Sequence, residues 1–232
     1  MPKNKEEWKV YKNIFSEFSL RNLFKLASQG HFEELKSPIS IGKEANIFTA
    51  EKEDGKLIVV KIYRLENCNF NKMYDYIRAD VRYANMKRQK RQIVFAWAQR
   101  EYRNLMIARE VIKVPTPIAI KDNILLMEYI GDKEVALKLK DDIPKDPKKF
   151  FDDVVKNMRK LYKKGLIHGD LSDFNILNHH QKPVFIDFSQ GSTTDSANAD
   201  ELLERDVCNV CNFFKRHIDV DEKKTLEEIR KN

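Results

Sequence analysis

The chain has 232 residues, of which 42% are hydrophobic and 34% charged, a balance that excludes an intrinsically disordered polymer and suits a globular unit large enough to bury a core. The formal net charge of +7 fits a phosphate-rich partner such as RNA, although a solvated basic surface gives the same number. No apolar run approaches the length of a membrane span, and Met1–Trp8 is charged rather than signal-like, so the expectation is a cytoplasmic chain.

Residues 1–36 carry helical patterning, with Phe15, Phe18, Leu20, Leu23, Phe24 and Leu26 as candidate buried positions. Strand signals follow at Ile39–Ile41, Ala45–Ala50 and Leu57–Tyr63, the last two joined by a turn at Asp54-Gly55. Cys68–Arg91 is polar, basic and aromatic, and reads as part helix and largely mobile loop. It contains Arg82, Lys87, Arg88, Lys90 and Arg91, with no acid among them. An amphipathic helix is expected from about Ile93 to Val111, stopped by Val114-Pro115-Thr116-Pro117. A hairpin of Ile118–Ile120 and Ile124–Met127 turns at Asp122-Asn123, and Gly131 ends it as a potential hinge.

The second half reads as a helix Phe150–Lys164 stopped by Gly165, apolar segments Leu166–His168 and Val184–Phe188, a helix Ala199–Lys215 and a charged tail Glu222–Lys231. Strands first and helices after predict an α+β protein of two lobes. Cys208 and Cys211 form a C-x-x-C inside helical patterning without a second ligand pair, and are read as ordinary helix residues.

Chemistry concentrates in Ile167-His168-Gly169-Asp170-Leu171-Ser172-Asp173-Phe174-Asn175-Ile176-Leu177, followed twelve residues beyond Asn175 by Ile186-Asp187-Phe188. Phosphoryl transfer needs one carboxylate to orient the attacking hydroxyl or water, and an amide oxygen with a second carboxylate to hold a divalent cation against the phosphates. Lys61 lies inside the apolar run Ile58–Tyr63. Alternation alone would equally put it on the solvent side of an edge strand. On the helix downstream, however, Glu101 falls on the apolar face made by Val94, Trp97, Ala98, Leu105, Ala108 and Ile112. A carboxylate in such a stripe calls for a cation, and Lys61 is the natural one. Ser40-Ile41-Gly42-Lys43-Glu44-Ala45 joins two strand signals and offers a tight loop able to cradle phosphates, though with a single glycine. By position, the backbone of Glu128 and Ile130 would meet an adenine edge.

Together, Ser40…Gly42-Lys43-Glu44-Ala45, Val60-Lys61, Glu101-Tyr102-Arg103-Asn104-Leu105, Val114-Pro115-Thr116-Pro117, His168-Gly169-Asp170-Leu171-Ser172 and Ile186-Asp187-Phe188-Ser189-Gln190 resemble the RIO family of atypical serine/threonine protein kinases, over about Leu20 to Phe214. The resemblance is closest to the first RIO subfamily, in a short, archaeal-type form. About 37 residues precede the phosphate loop, too few for the winged-helix domain of the second subfamily. It implies a minimal kinase fold: an N-terminal helical extension 1–36, an N-lobe 37–130 of antiparallel sheet plus helix with a basic flexible loop at about 68–91, and a reduced, mostly helical C-lobe 131–232. It also implies ATP with Mg²⁺ or Mn²⁺, autophosphorylation on Ser or Thr, ATPase activity and a role in small ribosomal subunit maturation, with rRNA contact expected through 82–91. By the same resemblance Asp170 is catalytic, Asn175 and Asp187 hold the metal, and Lys61 and Glu101 position the phosphates.

The chain departs from typical protein kinases in four places. Gly169 replaces the arginine of H-R-D, Ser172 stands where many kinases carry a lysine, Ser189 follows Phe188 where a glycine is usual, and no A-P-E segment appears in the 45 residues beyond Asp187. Control through an arginine-bound activation-loop phosphate is therefore not expected, nor is docking of a free peptide. The competing readings are a small-molecule phosphotransferase of the aminoglycoside-kinase type, which shares the H-G-D-x-x-x-x-N pattern, and a module that binds nucleotide without turnover.

Overall fold

The computed structural model describes residues 15–66, 68–83, 86 and 88–231, arranged as two compact units. The first comprises the chain up to Ile77, 85–99 and 117–129; the second comprises 78–84, 100–116 and 130–232. The part of the N-terminal extension before Phe15 lies outside the described residues.

The first unit is built on a five-stranded antiparallel sheet of order β1-β2-β3-β5-β4, with β1 Glu34–Ile41, β2 Ala45–Glu51, β3 Leu57–Tyr63, β4 Pro117–Lys121 and β5 Ile124–Glu128. β3 therefore lies between β2 and β5, which removes the edge-strand reading of Lys61. The β2–β3 turn closes with the Gly55 N–H on the Lys52 carbonyl (2.9 Å), Gly55 taking φ +76°. Helix α1 (Glu17–Ser28) starts at Ser16, whose Oγ accepts the Ser19 N–H at 3.2 Å. Its Leu20, Leu23 and Leu26 pack with Phe48, Val60 and Ile62 of the sheet.

Two expectations fail on α1. Phe24 is 51% exposed, because it falls off the stripe that Leu20, Leu23 and Leu26 define. Phe18 is half-buried, stacked on Phe95 at 5.5 Å with the Arg91 guanidinium over its ring.

The 68–91 segment, expected to be largely mobile loop, contains helix α2 (Phe70–Arg78) and a 3₁₀ turn, Val81–Tyr83. α2 forms because Met73 and Ile77, four apart, bury completely while the remaining positions stay half-buried or exposed. Helix α3 (Lys90–Ala108) begins in the first unit and continues into the second.

In the second unit, α4 (Pro147–Lys163) and α5 (Ala199–Phe214) pack through Phe150 and Phe151 against Phe214, with ring centroids 6.3 and 5.2 Å apart. Asp146 caps α4 by accepting the Lys149 N–H at 2.9 Å, with Pro147 in the first turn. Gly165 follows its last turn at φ +82°. The charged tail forms α6 (Glu222–Arg230), tied down by Arg230 to Asp200 and Glu204 and by the burial of Ile229.

Two small sheets were not legible in the sequence as strand pairs: β6 (Leu166–Ile167) with β9 (Ser192–Thr193), and β7 (Ile176–His179) with β8 (Lys182–Phe185). Strands of two to four residues are too short for alternation to register. Gly131 follows β5. A Cβ there would lie 2.2 Å from the Glu134 carbonyl oxygen, so glycine is needed for close backbone approach.

Candidate active site

In the first unit, alternation places Val60 and Ile62 toward α1 and turns Lys61 to the other face, where it is 5% exposed beside its cross-strand neighbours Ile47 and Leu125. Its Nζ lies 5.1 Å from the Tyr63 ring centroid. A lysine buried in a central strand is costly unless an anion is supplied to it. The β1–β2 turn is tight: the Gly42 N–H donates to the Ala45 carbonyl at 3.0 Å, and a Cβ on Gly42 would meet that oxygen at 2.9 Å. Ser40 and Lys43 are exposed. Glu128 ends β5, half-buried and opposite Ile58.

In the second unit, Glu101 is 1% exposed on α3. Ile130 is buried, and its carbonyl accepts the Ala136 N–H at 2.9 Å. The structure brings Asp170, Asn175 and Asp187 together. Asn175 Nδ2 donates to the Asp170 backbone carbonyl at 2.8 Å, and the Asn175 carbonyl accepts the Ile186 N–H at 3.0 Å, next to Asp187. The Asp170 Oδ2 accepts Gln190 Nε2 at 2.9 Å, and Asp187 Oδ1 accepts the Ser189 hydroxyl at 2.7 Å.

Asp187 adopts a left-handed backbone, φ 62° and ψ 67°, an uncommon state for a non-glycine residue that marks it as held by its surroundings. The donors suit a hard cation. Asn175 and Asp187 offer only oxygens, and with Nδ2 committed to Asp170 the Asn175 Oδ1 is directed the other way. Such an ion would neutralise charge developing on transferred phosphates.

Several supporting residues went unread in the sequence. His168, expected as part of the motif, is structural: buried against Phe188 at 4.5 Å, it donates from Nε2 to the Ile186 carbonyl at 2.9 Å. Asp206 of α5 accepts the backbone N–H groups of Gly169 (2.7 Å) and Leu171 (2.8 Å), and Arg205 donates to the Gly169 carbonyl. Burial pushes the Asp206 carboxyl up to about 7, against the pull of the two N–H bonds. Gly169 itself sits at φ +76°, where a Cβ would come 2.6 Å from the Gln190 carbonyl oxygen, so no arginine fits there.

Behind Asp187, Asn104 Nδ2 donates to the carbonyls of Phe188 (3.0 Å) and Gly191 (2.8 Å), while its Oδ1 accepts Arg82. Arg82 also pairs with the fully buried Asp80 at 2.6 Å, and Arg100 Nε lies 3.3 Å from the same carboxylate. Burial raises the Asp80 carboxyl, but the Arg82 bond and charge more than reverse this and hold it below the usual carboxylate range. Arg82, expected among the RNA-facing cations, is thus occupied within the fold.

A five-stranded antiparallel sheet followed by a mostly helical unit with this Asp–Asn–Asp set defines an α+β protein of the kinase-like class. The RIO domain family matches residues 46–228. The RIO-type serine/threonine-protein kinase Rio1 of Methanocaldococcus jannaschii is 42% identical over 214 residues, covering 91% of this chain and 73% of the relative. The Rio1 kinase of Haloferax volcanii is 38% identical over 216 residues, covering 92% and 74%. Among solved structures, the Rio2 kinase–ADP/Mg²⁺–phosphoaspartate complex of Chaetomium thermophilum matches with a TM-score of 0.68 at 25% identity, covering 91% of this chain and 66%, just under two thirds, of that one. The chain belongs to the RIO family of serine/threonine-protein kinases.

No helix among the described residues is long and apolar enough to cross a membrane.

Proposed function

We propose that the chain binds ATP with Mg²⁺ or Mn²⁺ and transfers the γ-phosphoryl group to a serine or threonine of its own or to water, acting in small ribosomal subunit maturation in the cytoplasm. The observation that carries this reading is the Asp170 carboxylate, fixed by Gln190 and set beside Asn175 and Asp187. In it, Asp170 orients the attacking hydroxyl, and Asn175 and Asp187 hold the cation. Lys61 and Glu101 act as the phosphate-positioning pair. Ser40, Gly42 and Lys43 cover the phosphates, and the Glu128 and Ile130 backbone reads adenine. The lobe limits 37–130 and 131–232 belong to the same reading.

The solved Rio2 complex contains ADP, Mg²⁺ and phosphoaspartate, which supports the nucleotide and ion and adds a third possible acceptor, a carboxylate. Incubation with γ-labelled ATP and Mg²⁺ tests the reading. Acid-stable label on the protein marks Ser or Thr, hydroxylamine-labile label marks an aspartyl phosphate, and free phosphate that rises with added pre-ribosomal particles marks the ATPase. Asp170→Ala should abolish turnover while sparing nucleotide binding; undiminished turnover in that variant would refute the assignment.

A further inference from the structure

We propose that Asp132, His179 and His180 form a binding site for a late first-row divalent cation such as Zn²⁺, using none of the residues assigned to ATP and Mg²⁺. One ligand atom from each of the three lies within 4.8 Å of the others. Asp132 Oδ1 is 3.4 Å from His180 Nε2 and 3.9 Å from His179 Nε2. A tetrahedral ion with bonds of about 2.1 Å separates its ligand atoms by about 3.4 Å. Of the three edges, Asp132–His180 already has the required length, Asp132–His179 needs to close by roughly half an ångström, and His179–His180 lies within 4.8 Å. Two imidazole nitrogens and a carboxylate oxygen favour Zn²⁺, Ni²⁺ or Cu²⁺ over Mg²⁺, which prefers all-oxygen sets.

Hydrogen-bonded backbone carries the site on both sides. His179 ends β7, and His180-Gln181 is the two-residue turn to β8, with φ of 53° and 61°. Two consecutive left-handed residues make the turn that Asn-Gly normally supplies. Histidine, with asparagine and aspartate, is one of the non-glycine residues that tolerate that backbone, so the turn can present the His180 ring without exceptional strain. Asp132 follows Gly131, whose backbone bridges Val135 while the Ile130 carbonyl holds Ala136. Ile130, Leu177 and Val184 pack beneath both segments. The three side chains border a cleft of about 410 Å³, which leaves room for a water or a fourth ligand. The plainer account is a surface imidazole–carboxylate contact, which would contribute little stability and does not require two imidazoles to converge on one carboxylate oxygen.

Calorimetric titration of the whole chain with Zn²⁺, in buffer containing excess Mg²⁺, tests the proposal. One saturable site is expected, weakened at least roughly tenfold by Asp132→Asn and by His179→Gln. His180→Asn is the decisive variant. Asparagine suits the left-handed turn, so the metal-free melting temperature should hold or rise while Zn²⁺ affinity drops at least roughly tenfold and Zn²⁺ ceases to raise the melting temperature. Absence of saturable binding to the wild-type chain, or equal affinity in all three variants, would overturn the site.

Discussion

The Asp206 carboxylate, projecting from α5, spans the backbone N–H groups of Gly169 and Leu171 at 2.7 and 2.8 Å and so fixes both neighbours of Asp170. Replacing it with asparagine leaves at least one buried N–H facing another donor. The expected cost is about 3 kcal/mol of stability. Because Asp206 acts through the loop, kcat should fall with KM for ATP little changed, and this split separates positioning from simple destabilisation.

Asp206 also predicts a pH dependence. Its folded-state pKa is raised from 3.8 to about 7, so the folded protein holds the proton more tightly than the unfolded chain. The proton-linked part of its contribution to stability is then fully present below pH 3.8, declines as pH rises and is lost above about pH 7, while the two N–H bonds remain. Urea unfolding of the wild-type chain, referenced to Asp206→Asn, should show this decline between pH 5 and 7 and a plateau above pH 8. A flat or rising difference would mean that the carboxylate is already ionised at pH 5.

Asp80→Asn should be among the most damaging single changes in the second unit. It leaves Arg82 and the 1% exposed Arg100 without their shared carboxylate, at an expected cost of about 3–5 kcal/mol. The Asp80 pKa is depressed in the fold, so this stabilisation is present above the unfolded value of 3.8 and is lost as pH falls through the lower folded value. The gap between wild-type and variant unfolding curves should stay constant from neutral pH to about pH 5 and close only in stronger acid.

Removing charge from the basic segment should separate two kinds of cation. Arg88 lies over Tyr74, Lys90 over Phe70 and Arg91 over Phe18, so these three cations stay on the segment for which RNA contact is proposed. Neutralising these three should flatten the salt dependence of RNA binding by a slope of about 2. Arg82→Ala should instead lower stability, since Arg82 is bound to Asp80 and Asn104. An unchanged slope in the triple variant would return those residues to the solvated surface.

Much of the candidate site was legible because its chemistry is written locally. Lys61 interrupts an apolar strand, Glu101 interrupts an apolar helix face, and Asp170 and Asn175 share one short segment. What escaped are residues whose partners lie far along the chain: Asp206 meets Gly169, Arg100 meets Gly191, and Asn104 meets Phe188. Nothing local announces such pairings. Asp206 was nonetheless findable, because it sits on the buried face of its helix with Leu202, Leu203, Val207 and Val210, the same criterion that singled out Glu101. In the fold, helix α2 was obscured by its polar majority, since two buried residues suffice to dock it. Phe24 is the opposite case: its aromatic character predicts burial, but its angular position on α1 leaves it exposed.

The fastening behind Asp187 bears on how such an enzyme is controlled. Phe188 and Gly191 are each held through their carbonyls by Asn104, Gly191 is held by Arg100 as well, and His168 grips Ile186. In many kinases this stretch swings between productive and idle poses; here a second pose would forfeit the whole set of bonds at once. A shift of this stretch would need new partners for every one of these groups, so the segment serves as an anchor rather than a moving part.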